Sequence, residues 1–283
     1  MTSLTPIISG LGFAEAPRWQ DGKLWFVDYF AGKVFSGDLS GNYAPVAAVE
    51  GTPGGLGFLP DGTPLVVSQS GFSVLKIEKD GSVSPYADLK DFCIGAANEM
   101  VTDAKGRAYV GHHGFNFFGG AAPEPSTLVM IDTDRSVRKV AEGLIFPNGM
   151  AITPDGRTLI VAESFANRLS AFDIQPDGSL TNQRIWAETP GHTPDGICLD
   201  ADGCVWAGSP LSGTFLRVRE GGEIVQTIKT TDERWAVACV FAGADRRTLC
   251  CVTAATTLET MPQGKSTAYI ETADVGTSGA GRP

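Results

Sequence analysis

Positive charge is scarce in this chain: Lys and Arg total 22 against 32 Asp and Glu, a formal net charge of -10. An acidic surface repels phosphate backbones, so nucleic acid is excluded as a partner class, whereas a cationic ligand or a metal ion is not. Long apolar runs are missing as well. No stretch approaches the roughly 18 residues of a membrane span, so no membrane partner is expected. The opening residues, Met1 to Pro6, have neither the charged start nor the long apolar segment of an export signal. None of the six cysteines forms a C-x-x-C pair. Cys198, Cys239 and Cys250 sit in apolar runs, where a free thiol acts as a small hydrophobe, and a disulfide framework is not expected at this size and spacing. A reduced, cytoplasmic protein follows, with a monomer or weak homo-oligomer as the expected state. No serine lies in a G-x-S-x-G elbow, and Lys105-Gly106 is not part of a phosphate-binding loop. Helical periodicity is scarce too, while Gly (35) and Pro (17) are plentiful in the 283 residues.

What the chain does have is a repeated unit. A short apolar run, an Asp-Gly type turn and a β-branched run recur in order. Pro154-Asp155-Gly156 closes one run and Asp202-Gly203 another. Turns of this kind fall at Asp21, Asp61, Lys105, Asp155, Asp202 and Asp245, spaced 40 to 50 residues apart. That period, with about four strands per unit, predicts an all-β, six-bladed β-propeller. The fourth strands are expected near Tyr43–Val49, Val83–Tyr86, Val137–Val140 and Gln183–Trp186. The strand near Ile7 has no blade before it, so it is expected to pair with the last blade and close the ring, which protects the sheet edge. Residues 1–275 read as one domain and 276–283 as a flexible Gly/Ser-rich tail.

Aligned on their turns, the units share a column six or seven residues upstream that reads Glu15, Gly54, Asn98, Asn148, Asp195 and Ala238. In a propeller, equal repeat positions on the innermost strands converge at one height on the central axis. Two carboxylates and two amides meeting there would offer oxygen ligands suited to a hard divalent cation, and a cation would offset repulsion between Glu15 and Asp195. The ordinary alternative is that these are turn residues, yet each unit already has its turn at the later Asp-Gly. His192, three residues before Asp195, is expected either at the channel mouth or as a solvated loop histidine, and Trp235 as a wall or a packing residue. The loop containing His113 and Phe115 to Phe118 is the longest interruption within a repeat, and it either lines the mouth or covers a blade.

Several stretches resemble the senescence marker protein, gluconolactonase and luciferin-regenerating enzyme family. They are Glu15-Ala16-Pro17-Arg18-Trp19 with Leu24 to Asp28, Asn98 with Asp103 to Arg107, Pro147-Asn148-Gly149-Met150, and Pro194 to Asp200 with Gly203 to Trp206. The resemblance covers nearly the whole chain. It implies a six-bladed propeller holding one divalent metal, calcium first and Mn, Mg or Zn as alternatives, and hydrolysis of a lactone. It also implies that Glu15, Asn148 and Asp195 ligate the metal, that Asp195 is the general acid or base, and that Asn98 acts beside it on water or substrate. Two departures bear on the substrate. Sugar-lactonase members of the animal type carry Arg where this chain has Ala96, and Asp where it has Glu99. With Tyr29, His113, Phe115, His192 and Trp235 beside Asn98 and Glu99 as expected substrate contacts, a lactone or ester less polar than a sugar is expected. Other ester hydrolysis or hydration on the same site, and a non-catalytic calcium-binding propeller, stay open as alternatives.

Overall fold

The computed structural model describes residues 2–282, which form six antiparallel sheets, five of four strands and one of five, each blade running from an inner strand outward. The inner strands of the first four blades are Ala14–Gln20, Pro53–Phe58, Ala97–Thr102 and Pro147–Ile152. Ile197–Asp200 and Trp235–Ala242 serve blades five and six. The expected outer strands are present at Tyr43–Ala48, Val83–Asp88, Val137–Leu144 and Leu180–Glu188. Thr5–Leu11 pairs with Thr267–Asp274 as the outermost strand of blade six, so the chain's first strand closes the ring onto its last blade. The all-β, six-bladed architecture therefore matches the repeat. No helix among the described residues is long and apolar enough to cross a membrane.

The inner strands Pro53–Phe58 and Ala97–Thr102 are buried at every position. These strands also pack edge to edge around the axis so closely that side chains do not fit everywhere. A Cβ on Gly149 would lie 2.3 Å from the Asp195 carbonyl oxygen, and one on Gly196 would lie 2.2 Å from the Ala238 Cβ. The contacts are used as bonds: Gly149 N donates to Asp195 O at 3.2 Å, and Gly196 N to Val237 O at 2.9 Å. Five inner strands also carry a register shift against their neighbours, including Glu15/Arg18, Ala97/Met100 and Pro147/Met150. Bulges of this kind bend a strand and re-aim its side chains. Here they fall at the residues of the polar column.

The C-terminal residues, expected as a flexible tail, are placed against the ring instead. Gly279–Ala280 pairs with Leu199 and Asp200 on the inner strand of blade five, and Arg282 bridges to Ile152 of blade four. The physical reason is an inner-strand edge left with free backbone groups, which the tail satisfies; composition alone does not reveal that edge. A Cβ on Gly279 would lie 2.3 Å from the Phe241 Cβ. Gly279→Val is therefore expected to lower the melting temperature by several degrees, as overpacking of about 1–3 kcal/mol does. A thermal melt indistinguishable from wild type would mean that the tail is free in solution.

Candidate active site

One end of the central channel opens into a cavity of about 140 Å³, and Glu15, Asn98, Asn148 and Asp195 all face it. Each comes from the inner strand, or the residues leading into it, of a different blade: one, three, four and five. Asp195 is held by its backbone, whose N–H donates to the Gly208 carbonyl at 2.8 Å. Asn98 Nδ2 donates to the Pro147 carbonyl at 3.3 Å. Asn148 Nδ2 donates to Ser164 Oγ at 3.2 Å, and that hydroxyl donates in turn to the Pro194 carbonyl at 2.8 Å. Asn98 is therefore oriented by the next blade, and Asn148 by a hydroxyl of its own blade that is itself tied to the residues leading into blade five.

The two carboxylates are poorly accommodated as bare anions. Burial pushes the Asp195 carboxyl well above the usual carboxylate range; the charge of Glu99 adds to this, and the Asn148 side chain pulls the other way. Glu15 is likewise raised, first by burial and then by the charges of Asp195 and Glu99. Asp195 Oδ1 is buried with no hydrogen-bond partner. A buried carboxylate oxygen without a donor is costly, and the other groups at this height are an acid and two amides with carbonyl oxygens. An orphaned anionic oxygen among oxygen donors fits a hard divalent cation. Among the described residues, no three His, Cys, Asp or Glu come together as metal ligands. This agrees with a donor set that is half amide.

Glu99 does not line the cavity. It lies beneath it, where Arg18 Nη2 donates to its Oε2 at 2.7 Å. Arg18 is 4% exposed and gives three further N–H groups to the carbonyls of Leu56, Pro17 and Met100. This pair ties blades one, two and three together across the axis and leaves no free cation at the cavity floor. His192 is also off the wall, with Nδ1 2.9 Å from Ser212 Oγ. Phe115 is buried behind the wall, packing on Phe117, Phe146 and Phe165. Tyr29, His113 and Trp235 do face the cavity, as do Phe117 and Phe118, so the long loop both lines the mouth and covers the blade.

Sequence reasoning missed much of this wall, including Phe13, Gln69, Phe146, Phe165, Leu211 and Met261. Most sit on connections between strands or blades, outside the repeated unit, where no period marks them. Phe13 stacks edge-on against Tyr29 and Trp235, with ring centroids 6.3 and 6.4 Å apart. On the other side, His113 stacks on Phe146 at 4.4 Å and 17°. No Lys or Arg is among the lining residues.

An all-β ring of six blades with a carboxylate–amide cluster on its axis, roofed by aromatic rings, defines a propeller with a small-molecule site in its channel. The chain belongs to the SMP-30/Gluconolactonase/LRE-like family, which it matches over residues 13–256. It is 27% identical to the regucalcin of Xenopus laevis over 239 residues, covering 82% of this chain and 79% of that one. It is 24% identical to a 6-deoxy-6-sulfogluconolactonase of Pseudomonas putida, covering 83% and 81%. A solved luciferin-regenerating enzyme superposes with a TM-score of 0.82 at 17% identity, covering 99% of this chain and 98% of that one.

The His113 ring makes a test of the wall's dryness. Burial, with a smaller contribution from neighbouring His112, holds its pKa down to about 4 from 6.5. The unfolded chain therefore takes up this proton near pH 6.5 and the folded chain only near 4. Its contribution to stability is complete above 6.5 and is lost as pH falls toward 4, by up to about 3 kcal/mol. Urea titrations of wild type and His113→Phe across this range should show the wild type losing stability relative to the variant on acidification. Parallel curves would mean that the ring is solvated.

Proposed function

We propose that this protein is a metal-dependent lactonase whose substrate is a neutral lactone with an aromatic or alkyl substituent. The observation that carries the reading is the orphaned Asp195 Oδ1 set among Glu15, Asn98 and Asn148 beneath an aromatic wall. Kinship with a 6-deoxy-6-sulfogluconolactonase supports ring-opening ester hydrolysis as the reaction. Glu15, Asn148 and Asp195 would hold a divalent cation, calcium by preference for an all-oxygen set. When bound, that ion supplies Lewis acidity toward the ester carbonyl and charge stabilisation for the oxyanion.

The chain's own groups do the rest. Asp195 takes a proton from the attacking water as the water oxygen bonds to the carbonyl carbon. It then returns that proton to the ring oxygen as the C–O bond breaks, giving the hydroxy acid. Asn98, fixed by the Pro147 carbonyl, borders the reacting ester. Phe13, Tyr29, Phe118 and Trp235 exclude bulk water and receive the substituent. A cavity of about 140 Å³ has room for a group the size of a benzene ring. With no Lys or Arg on its lining, it offers no cationic side chain to pair with a carboxylated, sulfonated or phosphorylated substituent. Six free, buried cysteines suit a reducing compartment, and we place the enzyme in the cytoplasm.

Dialysis against a chelator is expected to remove lactone hydrolysis by at least about 100-fold, with return on adding a divalent ion. Asp195→Ala is expected to lose activity to a similar degree, since removing a general base costs about 10²–10⁴. Glu15→Gln relieves like-charge repulsion, so without metal it should melt a few degrees above wild type and with calcium below it. Full activity in the chelated enzyme would overturn metal dependence. Across a lactone panel, aryl- or alkyl-substituted δ-lactones should exceed gluconolactone in kcat/KM by about tenfold or more, and the reverse order would sink the substrate assignment.

A further inference from the structure

Blade two contributes no polar residue to the column, because Gly54 occupies its place. The cavity wall nevertheless carries an amide from that blade. Gln69 follows the second strand of blade two, Pro64–Ser68, and lines the cavity. A Cβ on Gly54 would lie 2.9 Å from both Cγ and Nε2 of Gln69, so the missing side chain makes the space that the glutamine fills. The Gln69 backbone is pinned on three sides. Its N–H donates to Thr52 O at 2.8 Å, and its carbonyl accepts from Phe72 N at 3.3 Å and from Ala97 N, in blade three, at 3.2 Å. The residue as a whole is 7% exposed, and its side-chain amide, which has no hydrogen-bond partner among the described residues, is open to the cavity. The other two amides on the wall each already spend an N–H, Asn98 on Pro147 and Asn148 on Ser164.

An amide held on rigid backbone at the cavity wall, with no partner in the chain, is free to bond whatever occupies the cavity. We propose that Gln69 is a substrate-orienting residue: its amide N–H donates to an ester oxygen of the bound lactone and fixes the ring over Asp195. This rests on the lactonase reading above. It accounts for a donor in a cavity whose charged groups are all acceptors. It also assigns blade two a role that the repeat pattern leaves blank.

The test is Gln69→Met, which keeps length and volume and removes the amide, beside Gln69→Glu, whose ionised carboxylate accepts and cannot donate. On an aryl δ-lactone, Gln69→Met should raise KM about tenfold and change kcat less than about threefold, the mark of an interaction made equally in ground and transition states. The Kd of the matching aryl δ-lactam, read by tryptophan fluorescence, should also rise about tenfold. Gln69→Glu should bind at least as weakly. Calcium affinity by calorimetry and the melting temperature of Gln69→Met should match wild type. Unchanged KM and Kd overturn the proposal, as does a parallel fall in calcium affinity, which would make Gln69 a metal donor. A wild type that turns over no lactone but loses lactam affinity on Gln69→Met refutes the lactonase reading and leaves the role of Gln69 standing. A wild type with neither turnover nor lactam affinity refutes both.

Discussion

The architecture depends on how little room there is around the propeller axis. Six inner strands meet there edge to edge, and at Gly149 and Gly196 the next strand stands where a Cβ would be. This crowding has a direct consequence for chemistry. Side chains at one height of the repeat cannot avoid one another, so a Glu in blade one and an Asp in blade five, 180 residues apart in the chain, become neighbours. The register shifts beside the column bend the strands where such side chains must turn toward the axis.

Electrostatics follows from the same geometry. Carboxylates forced together and away from water resist ionising, and the fold answers this in two ways at two depths. Lower in the channel, Glu99 is paired with Arg18, whose guanidinium also donates to backbone carbonyls of blades one, two and three. Among the described residues no Lys or Arg lines the cavity, and Asp195 keeps an oxygen without a donor. One acid is built into the scaffold and the other is left with an unpartnered oxygen at the cavity. That contrast separates two acidic positions that look alike in sequence, and it explains why Glu99, a neighbour of Asn98, is not a wall residue.

The wall above this floor comes from loops rather than from the repeat. Its aromatic side chains sit at different offsets from the turns: Phe13 before blade one, Phe117 and Phe118 in the long loop of blade three, Phe165 after the second strand of blade four. Loops can vary while the ring is kept. They are also where a periodic reading has no purchase. Gln69 is the sharpest case, since it replaces a column residue from a different strand and only packing against Gly54 reveals it.

The amino-acid sequence by itself determined the number of blades, the closure by the first strand and the polar column, because a period of 40 to 50 residues and a repeated turn are local properties of the chain. Even the family is legible in Pro147-Asn148-Gly149 and Pro194-Asp195-Gly196. Only the tertiary structure decided which acids share a charge partner, which aromatic rings face the cavity, and that residues 279–282 lie across the inner strands of blades four and five. These depend on contacts between residues tens to hundreds of positions apart. Such contacts are set by steric exclusion at the axis and by the need to satisfy buried polar groups, neither of which leaves a local signature in sequence.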